Sequence, residues 1–124
     1  MKKEIISNAA PGAIGPYSQG IDIGDLIFCS GMLPIDPVTL EMKEGIQEQT
    51  KQSLDNIKGM LESQGLDLSH VVKTTVFLND MNDFSAMNEV YAQYFKSPFP
   101  ARSAIEVARL PKDALVEIEV VVKK

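Results

Sequence analysis

Short apolar runs and alternating apolar and polar positions predict five strands along the chain, and a sixth candidate precedes them. Apolar runs rich in β-branched residues are typical of buried strands. The predicted strands cover residues 18–23, 26–32, 71–78, 102–107 and 115–122, and the additional short candidate covers 4–7. Gly24 and Asp25 separate the first two strands and predict a hairpin turn between them.

Two other segments repeat apolar or small residues every three or four positions, which is the spacing of a helix with one buried face. The first runs from about Ile46 to Ser63, and Gly65 is a suitable C-terminal stop. Its buried stripe is expected at Thr50, Ser53, Leu54, Ile57 and Leu61. The second lies between a turn at 79–83 and the Pro-rich segment 97–100, with a stripe at Phe84, Met87, Tyr91, Tyr94 and Phe95.

The order β-β-α-β-α-β-β predicts a single α+β domain over residues 1–124, with one mixed sheet and two helices on one face. The other face of the sheet is then left without a cover. Alternation along the last strand places Val116, Ile118, Val120 and Val122 on one face and Leu115, Glu117, Glu119 and Val121 on the other. Because both faces carry apolar residues, we expect the uncovered face to pack against other subunits.

Composition and charge argue against several classes of protein. The 124 residues are 44% hydrophobic and 23% charged, as in a globular protein, and no apolar run approaches the ~18–20 residues of a membrane helix. The net charge of −5 and the absence of a Lys/Arg cluster argue against nucleic-acid binding. The N-terminus lacks the apolar core of a secretion signal, and with a single cysteine we expect a cytoplasmic protein.

One histidine and one cysteine are too few for the usual zinc ligand sets. A histidine-based catalytic triad would depend on His70 alone. We expect His70 to be a solvated or capping residue, and Cys29, inside a strand, to be a buried and unreactive thiol.

Two charged residues on predicted strands are candidates for chemistry. Arg102 offers a planar fork that matches a carboxylate, and the alternative is a surface ion pair. Glu117 would act as a general acid or base if its face of the strand is partly buried, and the alternative is an exposed strand glutamate. Glu119 shares that face about 7 Å away, so spacing alone leaves either carboxylate as the candidate.

Four further residues are candidates for lining a pocket. Gly31 ends an apolar strand and would let a ligand approach the backbone, while Ser30 beside it is a pocket residue or an ordinary turn residue. Tyr17 follows a rigid Gly-Pro loop and either caps a pocket or packs against the core. Asn88 interrupts the apolar stripe of the second helix and otherwise would be an exposed helix asparagine.

Residues 100–119, which read PARSAIEVARLPKDALVEIE, closely resemble the sequence signature of the RidA/YjgF family. The likeness extends to 10–20 and to the segments 30–34, 79–84 and 88–91. The resemblance implies a chorismate-mutase-like fold and a homotrimer, with a central barrel of sheets and active sites between subunits. It further implies hydrolytic deamination of 2-aminoacrylate, 2-iminopropanoate and 2-iminobutanoate to 2-oxo acids and ammonia, without a metal or cofactor.

Carried over to this sequence, the resemblance implies that Arg102 binds the substrate carboxylate. It implies that Glu117 deprotonates the attacking water or passes a proton to the departing ammonia. It places Tyr17 and Ser30 in the pocket and Asn88 in its wall.

Two positions depart from the family pattern. Met32 stands where many relatives have glutamine, which changes the expected polarity of the pocket. Ala104 stands where many have cysteine, so only a backbone contact is expected there.

The alternatives to this enzyme are a regulatory trimer that binds a 2-oxo acid without turnover, and a ribonuclease or translation inhibitor. The presence of both Arg102 and Glu117 favours an enzyme over a binding protein, because simple capture of a carboxylate needs no base. The acidic net charge argues against strong RNA binding.

Overall fold

A computed structural model describes all 124 residues as one six-stranded sheet with two helices. The elements are β1 (Lys3–Ile5), β2 (Gly20–Asp22), β3 (Leu26–Cys29), α1 (Ile46–Glu62), β4 (Val71–Leu78), α2 (Phe84–Tyr94), β5 (Ala101–Glu106) and β6 (Val116–Lys123). The strand order is β1-β2-β3-β6-β4-β5. Only β4 and β5 run parallel, so the sheet is mixed and the predicted α+β class is confirmed.

Both helices form where the helical spacing predicts them, and the whole stripe expected on α1 is buried. Beyond the end of α1, Gly65 adopts a φ of 74°, and its N–H donates to the carbonyl of Glu62. Two polar side chains of α1 are buried because they hold the loop after β3. Ser53 donates to the carbonyl of Met32 at 2.8 Å, and Asn56 donates to that of Ile35 at 2.8 Å.

The core lies between the helices and one face of the sheet. On β6, Val116, Ile118, Val120 and Val122 are each at most 2% exposed, and they join Leu54, Ile57 and Met87 in one cluster. Burial of such aliphatic side chains contributes roughly 1.5–3 kcal/mol each. The intervening residues of β6 are half-buried or exposed, as expected if no element of this chain covers the second face.

That second face carries exposed apolar side chains from several strands. Phe28 on β3 and Ile105 on β5 are each 46% exposed. Phe28 pairs with Val121, and Ile105 pairs with Phe77, so the apolar residues are neighbours across the sheet. We call this surface the open face. Single exposed apolar residues are common, but two such cross-strand pairs on a face that no element of this chain covers indicate a candidate interaction surface.

The strand predicted over 26–32 ends early, at Cys29, and this shortening affects the candidate site. Phe28 pairs with Val121, and the ladder resumes only at an isolated bridge between Met32 and Ile118. Three residues of one strand, 29–31, therefore face two residues of β6, which is a β-bulge. The bulge returns Met32 to the core and leaves Ser30 and Gly31 outside the regular ladder.

The first strand covers Lys3–Ile5 instead of the predicted 4–7. Ser7 leaves the ladder because the buried Gln19 side chain satisfies its backbone, accepting from its N–H at 2.6 Å and donating to its carbonyl at 3.0 Å. Gln19 also donates to the carbonyl of Pro11 at 2.8 Å. One amide side chain thus anchors the loop that carries Tyr17. Neither helix is long and apolar enough to cross a bilayer.

Candidate active site

Arg102 lies on β5 and is held by α2. Its register partner on β4 is Thr74, which is buried and shares a 2.8 Å hydrogen bond with the hydroxyl of Tyr91. Arg102 therefore points to the helix-covered side of the sheet, where its Nη1 donates to Oδ1 of Asn88 at 2.7 Å. Asn88 is half-buried, so the alternative of an exposed helix asparagine is wrong.

Two aromatic rings complete the setting of the Arg102 guanidinium. Its carbon lies 4.8 Å from the ring centroid of Tyr91 and 5.4 Å from that of Phe84. Such cation–π contacts contribute about 0.5–2 kcal/mol each and fix the plane of the fork. Arg102 forms no ion pair within the chain, so the alternative of a surface ion pair is wrong.

A cavity of about 350 Å³ adjoins this arginine and is bordered by Asn88, Tyr91 and Phe99. An arginine has five N–H donors, and only the bond to Asn88 is made within the chain. The remaining donors of the half-buried cation are free to bind a carboxylate in a bidentate manner. The arrangement fits a site for a small anion.

Glu117 lies on β6 and points to the open face. It pairs with Phe77, between the fully buried Val116 and Ile118. Its carboxylate lies against the bulge: a Cβ added to Gly31 would be 2.5 Å from its Oε2 and 2.8 Å from its Cδ. Glycine is thus required at position 31 for this carboxylate to keep its place.

Burial raises the pKa of the Glu117 carboxyl, and the charge of Glu119 raises it further. Glu117 is half-buried, so the alternative of an exposed strand glutamate is wrong, whereas Glu119 itself is exposed. A carboxyl with a raised pKa exchanges protons closer to neutral pH, which suits a general acid or base. The local environment therefore favours Glu117 over Glu119.

Tyr17, Ser30 and Gly31 line a second cavity, of about 400 Å³. Ser30 donates to the carbonyl of Ser18 at 2.5 Å, which ties the bulge to the N-terminal loop. Tyr17 is 50% exposed, so it does not pack into the core. The cavity wall is mostly apolar and includes Met32.

The predicted site residues fall into two groups within one chain. Arg102, Asn88 and the half-buried Ala104 belong to the helix-covered side of β5. Glu117 lies on the open face beside Gly31. A sheet separates the two charged groups, so one chain does not bring the guanidinium and the carboxylate together on the same face.

Sequence reasoning missed three features of these groups. The rings of Phe84 and Tyr91 were assigned to the core stripe, yet they also contact Arg102. The bulge was missed, although a Ser-Gly pair inside an apolar strand is a signal for one. Lys112 was not singled out, yet it lines the Tyr17 cavity.

The remaining chemical candidates take structural roles. Cys29 is 8% exposed, and burial raises the pKa of its thiol to about 12, which confirms the expected unreactive thiol. His70 accepts a hydrogen bond from the backbone N–H of Asp67 at 3.3 Å and caps a single 3₁₀ turn, as expected. No group of three or more His, Cys, Asp or Glu side chains is placed to hold a metal ion.

Comparison with known proteins identifies the family. The profile of the family described as Endoribonuclease L-PSP matches residues 7–124. A RutC family protein of Pyrococcus horikoshii is 54% identical over 125 residues, covering 100% of this chain and 99% of the relative. The 2-iminobutanoate/2-iminopropanoate deaminase of Escherichia coli is 48% identical over 124 residues, covering 98% of this chain and 97% of the enzyme.

Solved structures agree with these sequence relatives. The crystal structure of Escherichia coli TdcF with bound serine superposes with a TM-score of 0.94 at 45% identity, covering 98% of both chains. That of the Escherichia coli YjgF gene product gives a TM-score of 0.94 at 47% identity, again covering 98% of both. With a family profile and close relatives that span nearly its whole length, the chain belongs to the RidA/YjgF/RutC family.

Proposed function

We propose that this protein hydrolyses small, reactive 2-imino acids and their enamine tautomers to 2-oxo acids and ammonia. The substrates are 2-aminoacrylate, 2-iminopropanoate and 2-iminobutanoate. The observation that carries the proposal is the half-buried Arg102, which is fixed by Asn88 and two rings but paired with no carboxylate. The 48% identity to a bacterial imine deaminase supports the same reaction.

Arg102 binds the substrate carboxylate through its free N–H donors. Because Asn88 and the rings hold the guanidinium in place, little conformational entropy is lost when the substrate binds. Binding the carboxylate also fixes the adjacent C=N carbon of the substrate. Water attacks this carbon, because it is bonded to both the carboxylate and the protonated nitrogen.

Glu117 transfers the protons of the reaction. Ionised Glu117 takes a proton from a water molecule as the water oxygen bonds to the imine carbon, and it returns that proton to the nitrogen. Glu117 then takes the proton of the hydroxyl group as the C=O bond forms and the C–N bond breaks, and ammonia leaves with the electron pair of that bond. The raised pKa of the Glu117 carboxyl suits these transfers.

The catalytic groups meet between subunits. Arg102 and Glu117 lie on opposite sides of one sheet, so a neighbouring copy must supply the second group. We infer a homotrimer in which open faces pack around a central barrel and each Arg102 cavity meets the Tyr17–Ser30–Gly31 half of the next subunit. The apolar residues of the open face support this packing.

Turnover of 2-iminobutanoate tests the proposal. The imine is generated from threonine with a dehydratase, and its decay is followed with and without this protein. Arg102→Ala is expected to lower kcat/KM by roughly 100-fold, because charge-assisted hydrogen bonds are lost. Glu117→Gln is expected to lower kcat on the order of 100-fold or more, because general acid–base transfer is lost.

Two matched variants control for charge and position. Arg109→Ala removes an arginine whose side chain is 80% exposed, and Glu119→Gln removes the neighbouring exposed carboxylate of β6. Both are expected to retain turnover. Wild-type protein that binds 2-oxobutanoate without accelerating imine decay would instead identify a regulatory trimer. Undiminished turnover in Arg102→Ala would refute the carboxylate role.

A further inference from the structure

Lys112 has an unusual backbone conformation at the edge of the Tyr17 cavity. Lys112 has φ 57° and ψ 24°, and Asp113 has φ 57°, so two consecutive non-glycine residues are left-handed. L-residues rarely adopt this conformation, and such backbone outliers cluster at binding sites. The turn also leads directly into β6, which carries Glu117.

Lys112 is the only charged residue that lines the cavity with Tyr17, Ser30 and Gly31. Its ammonium group forms no ion pair within the chain, and the adjacent Asp113 pairs with Arg109 at 3.3 Å. The cavity wall is otherwise mostly apolar. An unpaired cation on such a wall attracts an anionic ligand.

We propose that Lys112 is a further substrate-binding residue, which attracts and holds the carboxylate of a 2-imino or 2-oxo acid in the Tyr17–Ser30–Gly31 cavity. The inference rests on the proposed function and adds a residue to it. Ionised Glu117 lies against Gly31 and repels an anionic substrate that enters this half of the site. Lys112 offsets that repulsion, while Arg102 acts from the neighbouring subunit.

Calorimetric titration with 2-oxobutanoate tests this role in the full-length protein. Lys112→Asn is the informative variant, because asparagine tolerates the left-handed backbone while removing the charge. Its Kd is expected to rise about five- to tenfold, as for loss of a partly exposed charge-assisted contact. Lys112→Arg keeps the charge, and Lys58→Gln removes an exposed lysine of α1. Both are expected to bind as the wild type does.

A neutral ligand distinguishes the loss of the Lys112 charge from a structural effect of the substitution. 2-Oxobutanamide, which lacks the carboxylate, is expected to bind Lys112→Asn and wild type equally. Raising the ionic strength is expected to weaken 2-oxobutanoate binding to wild type more than to Lys112→Asn, because salt screens an exposed charge. A parallel shift for both ligands would show a structural effect and overturn the proposal.

Unchanged 2-oxobutanoate binding by Lys112→Asn, or no binding by wild type, would also overturn the role of Lys112. A different result would refute the proposed function: the wild-type protein would bind 2-oxobutanoate but leave the decay of 2-iminobutanoate unchanged. In that case the binding comparison still decides the role of Lys112.

Discussion

Individual residues of the candidate site owe their properties to desolvation. Asn88 and two ring faces replace part of the water around the Arg102 guanidinium. Glu117 has no cation beside it, so burial and Glu119 raise its pKa. The surroundings of Arg102 favour binding of an anion, and those of Glu117 favour a proton acceptor that is readily reprotonated.

The raised pKa of Glu117 predicts a pH-dependent gain in stability for Glu117→Gln. A carboxyl whose pKa is raised by folding stabilises the native state while protonated, and this contribution is lost as pH rises through the folded pKa. At neutral pH the ionised, half-buried group is therefore unfavourable, and the neutral amide is expected to raise Tm by a few degrees.

Thermal unfolding at neutral pH and at about pH 4, near the ordinary glutamate pKa, measures this effect. The Tm advantage of Glu117→Gln should shrink at the lower pH, where the wild-type group is protonated. Glu4→Gln, which removes an exposed carboxylate of β1, provides the control. An advantage that is equal at both pH values would contradict a desolvated carboxylate.

Elements position the site through two close backbone approaches. The bulge after β3 brings Gly31 against the Glu117 carboxylate. On α1, Gly59 lies against the N-terminal loop, where an added Cβ would be 2.8 Å from Cβ of Ala9 and 3.0 Å from its carbonyl oxygen. Helix and loop therefore dock at a distance that only glycine permits.

Gly59→Ala is expected to destabilise the protein although alanine is the better helix former. The substitution gains up to about 1 kcal/mol in helix propensity, but the new methyl group overlaps a backbone carbonyl that cannot easily move. We expect a net loss of roughly 1–2 kcal/mol in the free energy of unfolding, measured by urea titration.

Lys58→Ala, at the exposed neighbouring position, is the matched control and should change stability by less than about 0.5 kcal/mol. Combining Gly59→Ala with Ala9→Gly removes one of the two contacts and should recover part of the loss. A stabilised Gly59→Ala would show that the loop moves away freely.

The whole molecule has one covered and one uncovered sheet face, and the proposed activity depends on the second. Phe28, Ile105 and their neighbours present an apolar surface that burial against another copy would stabilise. In the trimer proposed above, this packing would accompany the approach of Arg102 of one subunit to Glu117 of the next.

Phe28→Glu is expected to dissociate the assembly and remove activity together. Light scattering should give three times the 13.6 kDa chain mass for wild type and the single-chain mass for the variant, because a charge would be buried in the interface. The proposed deaminase activity should fall at least about tenfold, since the proposed inter-subunit site would be lost. Val38→Glu, at a loop residue that is 86% exposed, should change neither. A fully active wild-type monomer would contradict the inter-subunit site.

Local patterns were sufficient to predict the elements and their order. The periodicity of α1 identified its whole buried stripe, because the buried side of a helix repeats every three or four residues whatever it packs against. On α2 it identified the buried Met87 and Tyr91, but Phe84 and Tyr94 are only half-buried and the buried Val90 was missed. The hairpin at Gly24, the end of α1 near Gly65 and the buried Cys29 follow from equally local chemistry. The strand ends after Cys29 and Ile5 were misplaced, because a bulge and the Gln19 side chain decide them.

The sequence by itself determined which residue types are available for chemistry: a guanidinium on one strand and a carboxylate on another. Only the tertiary structure decided their surroundings, because burial, ring contacts and the approach of Gly31 to Glu117 join residues far apart in the chain. It also placed Arg102 and Glu117 on opposite sides of the sheet, which depends on strand register. The left-handed backbone at Lys112 has no signal in residue type, since lysine seldom adopts it.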